Sequence, residues 1–130
     1  MAQHTTNNTD TFTSVAPDCP ASVAEVPPER KEPSVARLQY DMLVDAPYRY
    51  TSDDVVHRSQ GERRGIDRDT FFSKGQPCLR ASPLVKRYGW GVHHDAEGRV
   101  ALVAVESVEY AAFAADPDLT QASGMRSSRA

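Results

Sequence analysis

The fold follows from residues 88–105, YGWGVHHDAEGRVALVAV, where two apolar runs flank a short polar turn. The first strand is predicted over Tyr88 to His94 and the second over Arg99 to Val105, with Asp95 to Gly98 as the turn between them. Apolar residues occupy both the odd and the even positions of the second strand, so we expect both of its faces to be covered. This stretch therefore predicts an antiparallel hairpin and the main β element of the fold.

Two helices are predicted before the hairpin, each beginning at a side chain that can cap it. Ser34 is a good N-cap, and the apolar residues that follow recur at helical spacing until the stop signal that begins at Asp45. The segment Thr51 to Asp54 resembles a capping box, and the helix that it starts should end near Gly61 or Gly65.

Further elements are shorter. Asp67 can cap a third helix that is closed by Gly75, and Ser107 can cap a last helix that ends before Pro117. A brief strand is predicted near Phe12. The sum is an α+β fold, with three to four helices packed on a small antiparallel sheet.

Length and composition predict one domain with polar ends. The chain has 130 residues, of which 39% are hydrophobic and 25% charged, ordinary values for one globular core. Residues 1–10 are polar and are predicted to be disordered, and residues 11–119 form the domain. Residues 120–130 are predicted to be a polar C-terminal tail that either frays or docks onto the domain.

The cellular compartment is predicted from two features that the sequence lacks, a membrane helix and a signal peptide. No apolar run approaches the ~20 residues of a membrane helix, and the N-terminus has no apolar signal core. Cys19 and Cys78 are expected to be reduced thiols, because small secreted scaffolds normally carry more cysteines. We therefore expect a cytoplasmic protein without a membrane partner.

Charge is unevenly distributed along the chain. Residues 1–57 hold four basic and nine acidic side chains, residues 58–90 hold eight and three, and residues 91–130 hold three and six. The basic middle could attract an anion, but the net charge of −3 lacks the excess typical of nucleic-acid binders. A small anion or an acidic peptide is therefore favoured over a nucleic acid as the partner.

Five residues within or beside this basic region are the candidate ligand-binding residues: Arg80, Lys86, Arg87, Tyr88 and Trp90. If the chain doubles back near Ser82, they line one end of the sheet, with guanidinium groups for a carboxylate or phosphate and aromatic faces for stacking. The leading hypothesis is thus a protein that binds an anionic small molecule or an acidic peptide.

The competing interpretation of these residues is structural. In it, the basic loop is solvated, Trp90 lies in the core, and the arginines pair with Asp53, Asp54 or Glu106. A third hypothesis is an interaction protein that forms a homodimer through the hairpin edge or the helix faces, with no small ligand.

The alternative hypothesis is an enzyme whose active site uses the same basic and aromatic segment. Either Cys78 or His93 could be the reactive group, because Cys78 lies beside basic residues that favour a thiolate. A Cys–His pair would need His93 or His94 to lie against Cys78, which the spacing does not fix. His93 and His94 do not predict a metal site, because adjacent strand residues point to opposite faces and no other ligand spacing is present. No motif calls for a cofactor.

Several strings of the sequence carry a family resemblance, above all KGQPCLRASPLVKRYGWG at 74–91, together with VARLQYDML, PYRYTSDDV, VESVEY and the closing MRSSRA. They resemble a family of small, mostly bacterial proteins catalogued as a domain of unknown function. The resemblance runs from about Phe12 to the end of the chain. It implies no particular activity, cofactor or catalytic residue, although it includes the C-terminal tail and so favours a docked tail.

Overall fold

The structure is a computed structural model and describes residues 5–127 as a sheet with helices on both faces. Its strands and α-helices, in chain order, are β1 (Thr11–Ser14), α1 (Val35–Val44), α2 (Ser52–Val56), α3 (Arg68–Phe71), α4 (Pro83–Lys86), β2 (Trp90–His94), β3 (Val100–Ala104), α5 (Val108–Ala114) and β4 (Thr120–Ser123). A π-helical turn, His57–Gly61, and two 3₁₀ turns, Glu62–Arg64 and Leu79–Ala81, complete the helical segments. The α+β class predicted from the sequence is confirmed.

The four strands lie in the order β3-β2-β1-β4. The hairpin of β2 and β3 is antiparallel as predicted, and β1 pairs antiparallel with β2. The sheet nevertheless departs from a purely antiparallel one, because β4 runs parallel to β1. The parallel pairing of β4 is possible because α5 carries the chain from β3 across the sheet to the opposite edge. A crossover connection of this kind is needed for parallel strands.

The two faces of the sheet are covered by different helices. On one face, α1 to α4 close the main core, whose buried residues are Leu43, Val55, Val56, Phe71, Phe72, Leu79, Val85, Val92 and Val100. On the other face, Phe12 packs edge-on against Tyr110 and stacks with Phe113 of α5, at centroid distances of 5.0 and 5.7 Å. The apolar residues on both faces of the second hairpin strand are explained by this double cover.

All four helix starts predicted from capping residues are confirmed. Ser34, Thr51, Asp67 and Ser107 each accept a hydrogen bond from a backbone N–H of the first turn that follows. At Thr51 the capping box is complete, because the side chain of Asp54 also accepts from the backbone N–H of Thr51. Local sequence is sufficient to place these starts, since the cap and its target lie three residues apart.

A buried chain of hydrogen bonds joins three of the helical segments. Ser59, in the π-helical turn, hydrogen-bonds to the side-chain amide of Gln39 in α1, and the amide oxygen of Gln39 accepts from the hydroxyl of Ser82. Ser82 also caps α4, where it accepts from the N–H of Leu84. All three polar side chains are buried, and this network fixes how α1 sits against α4.

Both ends of the described chain dock on the domain. Thr5 and Thr6 hydrogen-bond to the carboxylate of Asp53. The reason is that Asp53 is buried at the start of α2 and needs donors that its own helix does not supply. The C-terminal segment adds β4 to the sheet, and the N–H of Ser127 donates to Asp18. Residues 1–4 and 128–130 lie outside the described part.

Candidate functional site

A pocket opens where the first turn of α1 meets the C-terminal end of α4. Its volume is about 220 Å³. We call it the α1–α4 pocket, and it is lined by Arg30, Ser34, Val35, Ala36, Pro83, Arg87 and Tyr88. It brings together two of the five ligand-binding residues predicted from the sequence.

The charged groups of the α1–α4 pocket are all cationic. Arg30 and Arg87 are both exposed, and no carboxylate lines the pocket. Neither arginine forms an ion pair or a hydrogen bond through its side chain with any residue in the range 5–127. Glu29, next in sequence to Arg30, instead pairs with Arg37 at 3.1 Å. Two guanidinium groups are thus available to an anion.

The backbone at the start of α1 adds donors to the same pocket. The side chain of Ser34 accepts from the N–H of Arg37 at 3.1 Å and so satisfies one of the first-turn groups. The N–H groups of Val35 and Ala36 donate to no other described residue. Free N–H groups at a helix start carry partial positive charge, so they reinforce the attraction of the arginines for an anion.

Tyr88 is held in the pocket wall by backbone bonds on both sides. Its N–H lies 3.3 Å from the carbonyl oxygen of Pro83, and its own carbonyl oxygen accepts from the N–H of Glu25 at 2.8 Å. The following Gly89 has a φ of +80°, and a Cβ there would lie 2.9 Å from the carbonyl oxygen of Val23. Only glycine lets the N-terminal connection lie this close, which anchors Tyr88 between α4 and β2.

The other three predicted ligand-binding residues lie elsewhere. The indole N–H of Trp90 donates to the carbonyl oxygen of Glu25 at 2.8 Å, and the ring lies beside Tyr40. Arg80 donates to the carbonyl oxygen of Ser123 at the end of β4. Lys86, in the last turn of α4, is half-buried and does not line the pocket. Arg80 and Trp90 hold neighbouring segments in place, and Arg87 and Tyr88 are the two predicted residues that meet at this cavity.

The competing interpretation of the sequence paired the arginines of residues 80–87 with acidic residues such as Asp54 and Glu106. In the structure these two carboxylates have other partners. Asp54 pairs with Arg68 at 2.6 Å, and Glu106 accepts from the backbone N–H of Ala24 at 2.8 Å. Partial burial alone would raise the pKa of Asp54, but hydrogen bonds from Thr51 and the cation of Arg68 outweigh it and hold that pKa below its usual value. The negative charge of Asp54 is therefore already engaged.

Cys78 and His93 are not joined by a hydrogen bond within the described chain. Cys78 precedes the 3₁₀ turn at Leu79 and, like Cys19, is a free thiol. The Nδ1 of His93 lies 2.7 Å from the hydroxyl of Tyr48, and its ring stacks on Phe113 at 4.2 Å. Burial lowers the pKa of His93, although Asp95 and other nearby carboxylates oppose the shift. A thiolate–imidazole pair thus has no geometric support.

His93 and His94 lie on opposite faces of the sheet, as strand alternation predicts. His93 faces α5, whereas His94 is 1% exposed and pairs in register with Thr11 and Val100. Neither ring nitrogen of His94 has a hydrogen-bond partner in the described chain. No group of three histidine, cysteine or carboxylate side chains within residues 5–127 is arranged to hold a metal ion.

Sequence reasoning missed Arg30 and the free backbone donors of α1. Arg30 lies in a proline-rich connection, PPERKEP at 27–33, whose course depends on contacts with distant residues. A signal was present nonetheless, because the predicted N-cap at Ser34 places a helix start only a few residues after this charge cluster.

Comparisons with known proteins identify a family and no individual relative. No curated protein and no solved structure matches the chain. Within the described residues, no helix has both the length and the apolar character needed to cross a membrane. A family model described as a family of unknown function, DUF6157, matches residues 3–130. Because this match spans nearly the whole chain, the protein belongs to the DUF6157 family.

Proposed function

We propose that the protein binds a small-molecule anion through a carboxylate or phosphate group in the α1–α4 pocket. The observation that carries the proposal is that two arginines, Arg30 and Arg87, line one cavity that has no carboxylate in its lining. Arginines are suited to planar or tetrahedral oxyanions, because their N–H groups can donate in pairs.

The surrounding groups support the same chemistry. The N–H groups of Val35 and Ala36 can donate to an oxyanion that the arginines attract, as helix starts commonly do. Tyr88 also lines the pocket, and its aromatic ring and hydroxyl can contact the rest of the ligand.

The pocket size favours a small molecule over an acidic peptide. Its volume of about 220 Å³ lies below the ~300 Å³ at which pockets for drug-sized ligands begin. A phosphate or carboxylate head group fits such a volume, with the remainder of the ligand extending into solvent past Tyr88. An extended peptide would require a longer groove.

The proposal is tested by thermal shift with a panel of small carboxylates and phosphates, followed by titration calorimetry of each hit. A ligand at ~100 times its dissociation constant should stabilise the chain by about 2.7 kcal/mol, which is a shift of several degrees. Arg30→Gln and Arg87→Gln should each weaken binding about tenfold or more, because a charge-assisted hydrogen bond is lost.

The matched control is Arg63→Gln. Arg63 is an exposed arginine on the 3₁₀ turn Glu62–Arg64 and does not line the α1–α4 pocket, so its replacement changes the net charge equally. Equal weakening by all three variants would mean attraction to net charge only and would contradict the proposal. A shift produced by a poly-glutamate peptide and by no small anion would replace it with the acidic-peptide interpretation.

A further inference from the structure

A second cavity lies beside the π-helical turn. Its volume is about 240 Å³, and it is lined by Tyr50, Asp54, His57, Arg58, Glu62 and Arg68. We call it the His57 cleft. It shares no lining residue with the α1–α4 pocket, so what it binds is independent of the function proposed above.

The imidazole of His57 is fixed with one nitrogen unused. Its Nε2 lies 2.9 Å from the carbonyl oxygen of Ile66 and must carry hydrogen, because a carbonyl oxygen only accepts. The ring edge is held by Phe71 at a centroid distance of 5.5 Å. When His57 is neutral, Nδ1 is therefore the acceptor nitrogen, and no residue within 5–127 donates to it.

Two arginines of the cleft keep donors to spare. Arg68 uses Nη1 for Asp54 at 2.6 Å, and no other hydrogen bond from its guanidinium group is formed within the described chain. Arg58 lies over the ring of Tyr50 at 5.3 Å, and its contact with Glu62 is long, at 4.0 Å. Both groups are partly exposed. They can thus donate to an anion without breaking a short ion pair.

The π-helical turn is what places these side chains together. His57 and Arg58 are its first two residues, immediately after α2, and the 3₁₀ turn that follows contributes Glu62. A Cβ at Gly61 would lie 2.7 Å from both the His57 and the Phe71 rings, so glycine is needed for the ring to sit where it does. Such turns occur often at functional sites.

We propose that the His57 cleft is a binding site for a protonated phosphate group, such as a phosphate monoester or inorganic phosphate. In this arrangement Arg58 and Arg68 donate to the anionic oxygens, while the phosphate hydroxyl donates to Nδ1 of His57. Two arginine donors together with one acceptor nitrogen favour an oxyanion that still carries a proton. Such an anion has a lower charge, which suits a lining that also holds the carboxylates of Asp54 and Glu62.

Phosphate against sulfate is the discriminating pair of probes. The two ions have the same shape, but near neutral pH sulfate has no hydroxyl, whereas inorganic phosphate carries at least one in both of its main ionic forms. We expect inorganic phosphate to bind about tenfold more tightly than sulfate, since only phosphate satisfies the acceptor. NMR signals of the His57 ring, assigned with His57→Phe, should shift with phosphate and move less with sulfate.

Substitutions test separately whether the arginines donate to the anion and whether His57 accepts from it. Arg58→Gln should weaken both ions, and His57→Phe should remove the preference for phosphate while leaving sulfate binding unchanged. Arg63→Gln is again the charge-matched control and should leave both binding and the preference unchanged.

Two results would overturn the inference. The first is equal affinity for phosphate and sulfate when both ions are titrated on the His57 ring signals of the unaltered chain. The second is phosphate binding that leaves the His57 signals unmoved. Both can be read on the native protein, so they hold even if His57→Phe fails to fold.

Discussion

His94 shows how one buried residue can make the stability of this protein depend on pH. Its ring is 1% exposed and has no hydrogen-bond partner in the described chain, so it is buried in the neutral form. Burial, with a smaller contribution from the neighbouring His93, lowers its pKa from 6.5 to about 4. Protonation of His94 thus requires exposure of the ring to water.

The direction of the pH effect follows from this pKa. Between about pH 6.5 and 4 the unfolded chain binds a proton at residue 94 that the folded chain does not, so stability falls as the pH falls. We expect a loss of about 3 kcal/mol in the free energy of unfolding across this window, measured by urea denaturation at several pH values. His94→Leu should remove most of that loss. If the free energy of unfolding falls equally with pH in the native protein and in His94→Leu, the explanation is wrong.

For single residues, the sequence predicts the face on which a side chain lies better than it predicts which distant residues lie near it. The opposite orientations of His93 and His94 follow from strand alternation, and the structure confirms them. The meeting of Arg87 with Arg30 could not be predicted, because it depends on the path of a proline-rich connection that has no periodic pattern. His57 was overlooked for a related reason, since nothing in the sequence HRSQG at 57–61 distinguishes a π-helical turn from an α-helix.

Among the elements, α5 depends on a glycine in the strand beneath it. A Cβ at Gly91 of β2 would lie 2.8 Å from the Tyr110 ring and 3.0 Å from both the Phe12 ring and the carbonyl oxygen of Thr13. We expect Gly91→Ala to destabilise the fold by about 1–3 kcal/mol, because the helix must move away from the sheet. Chemical denaturation with Gly75→Ala as the control checks this, since nothing lies within 4 Å of a Cβ at Gly75. Equal stability of the two variants would contradict it.

Elements that are defined locally were predicted, and elements that depend on distant partners were not. The hairpin and the four capped helices each carry their own signal within a few residues. The strand β4, TQAS at 120–123, has a polar sequence and is a strand only because β1 pairs with it. Likewise, α4 is a single turn that begins at Pro83 and is stabilised by its cap at Ser82 and by packing on α1. Tertiary pairing, which the sequence pattern does not encode, decides both cases.

On the scale of the whole molecule, the start of the chain is joined to α2 through one buried carboxylate. Asp53 is 7% exposed and pairs with no cation among residues 5–127. Its oxygens accept instead from the hydroxyl of Thr5 and from both the N–H and the hydroxyl of Thr6, at 2.6 to 2.7 Å. The side chain of Asn7 accepts from the N–H of Asp53 at 2.8 Å, which completes the attachment. Hydrogen bonds to one buried carboxylate thus hold this segment on α2.

This attachment can be measured with a double-mutant cycle. Thr6→Val keeps the shape of the side chain but removes a donor from a buried carboxylate, which should cost about 1–3 kcal/mol of stability. In the background of Asp53→Asn the same substitution should cost distinctly less, because no buried charge is then left without its donor. Urea unfolding of the four proteins gives the coupling energy. A value near zero would mean that the hydroxyl of Thr6 does not stabilise the Asp53 charge, and that the N–H of Thr6 and the side chains of Thr5 and Asn7 hold the N-terminal segment on α2.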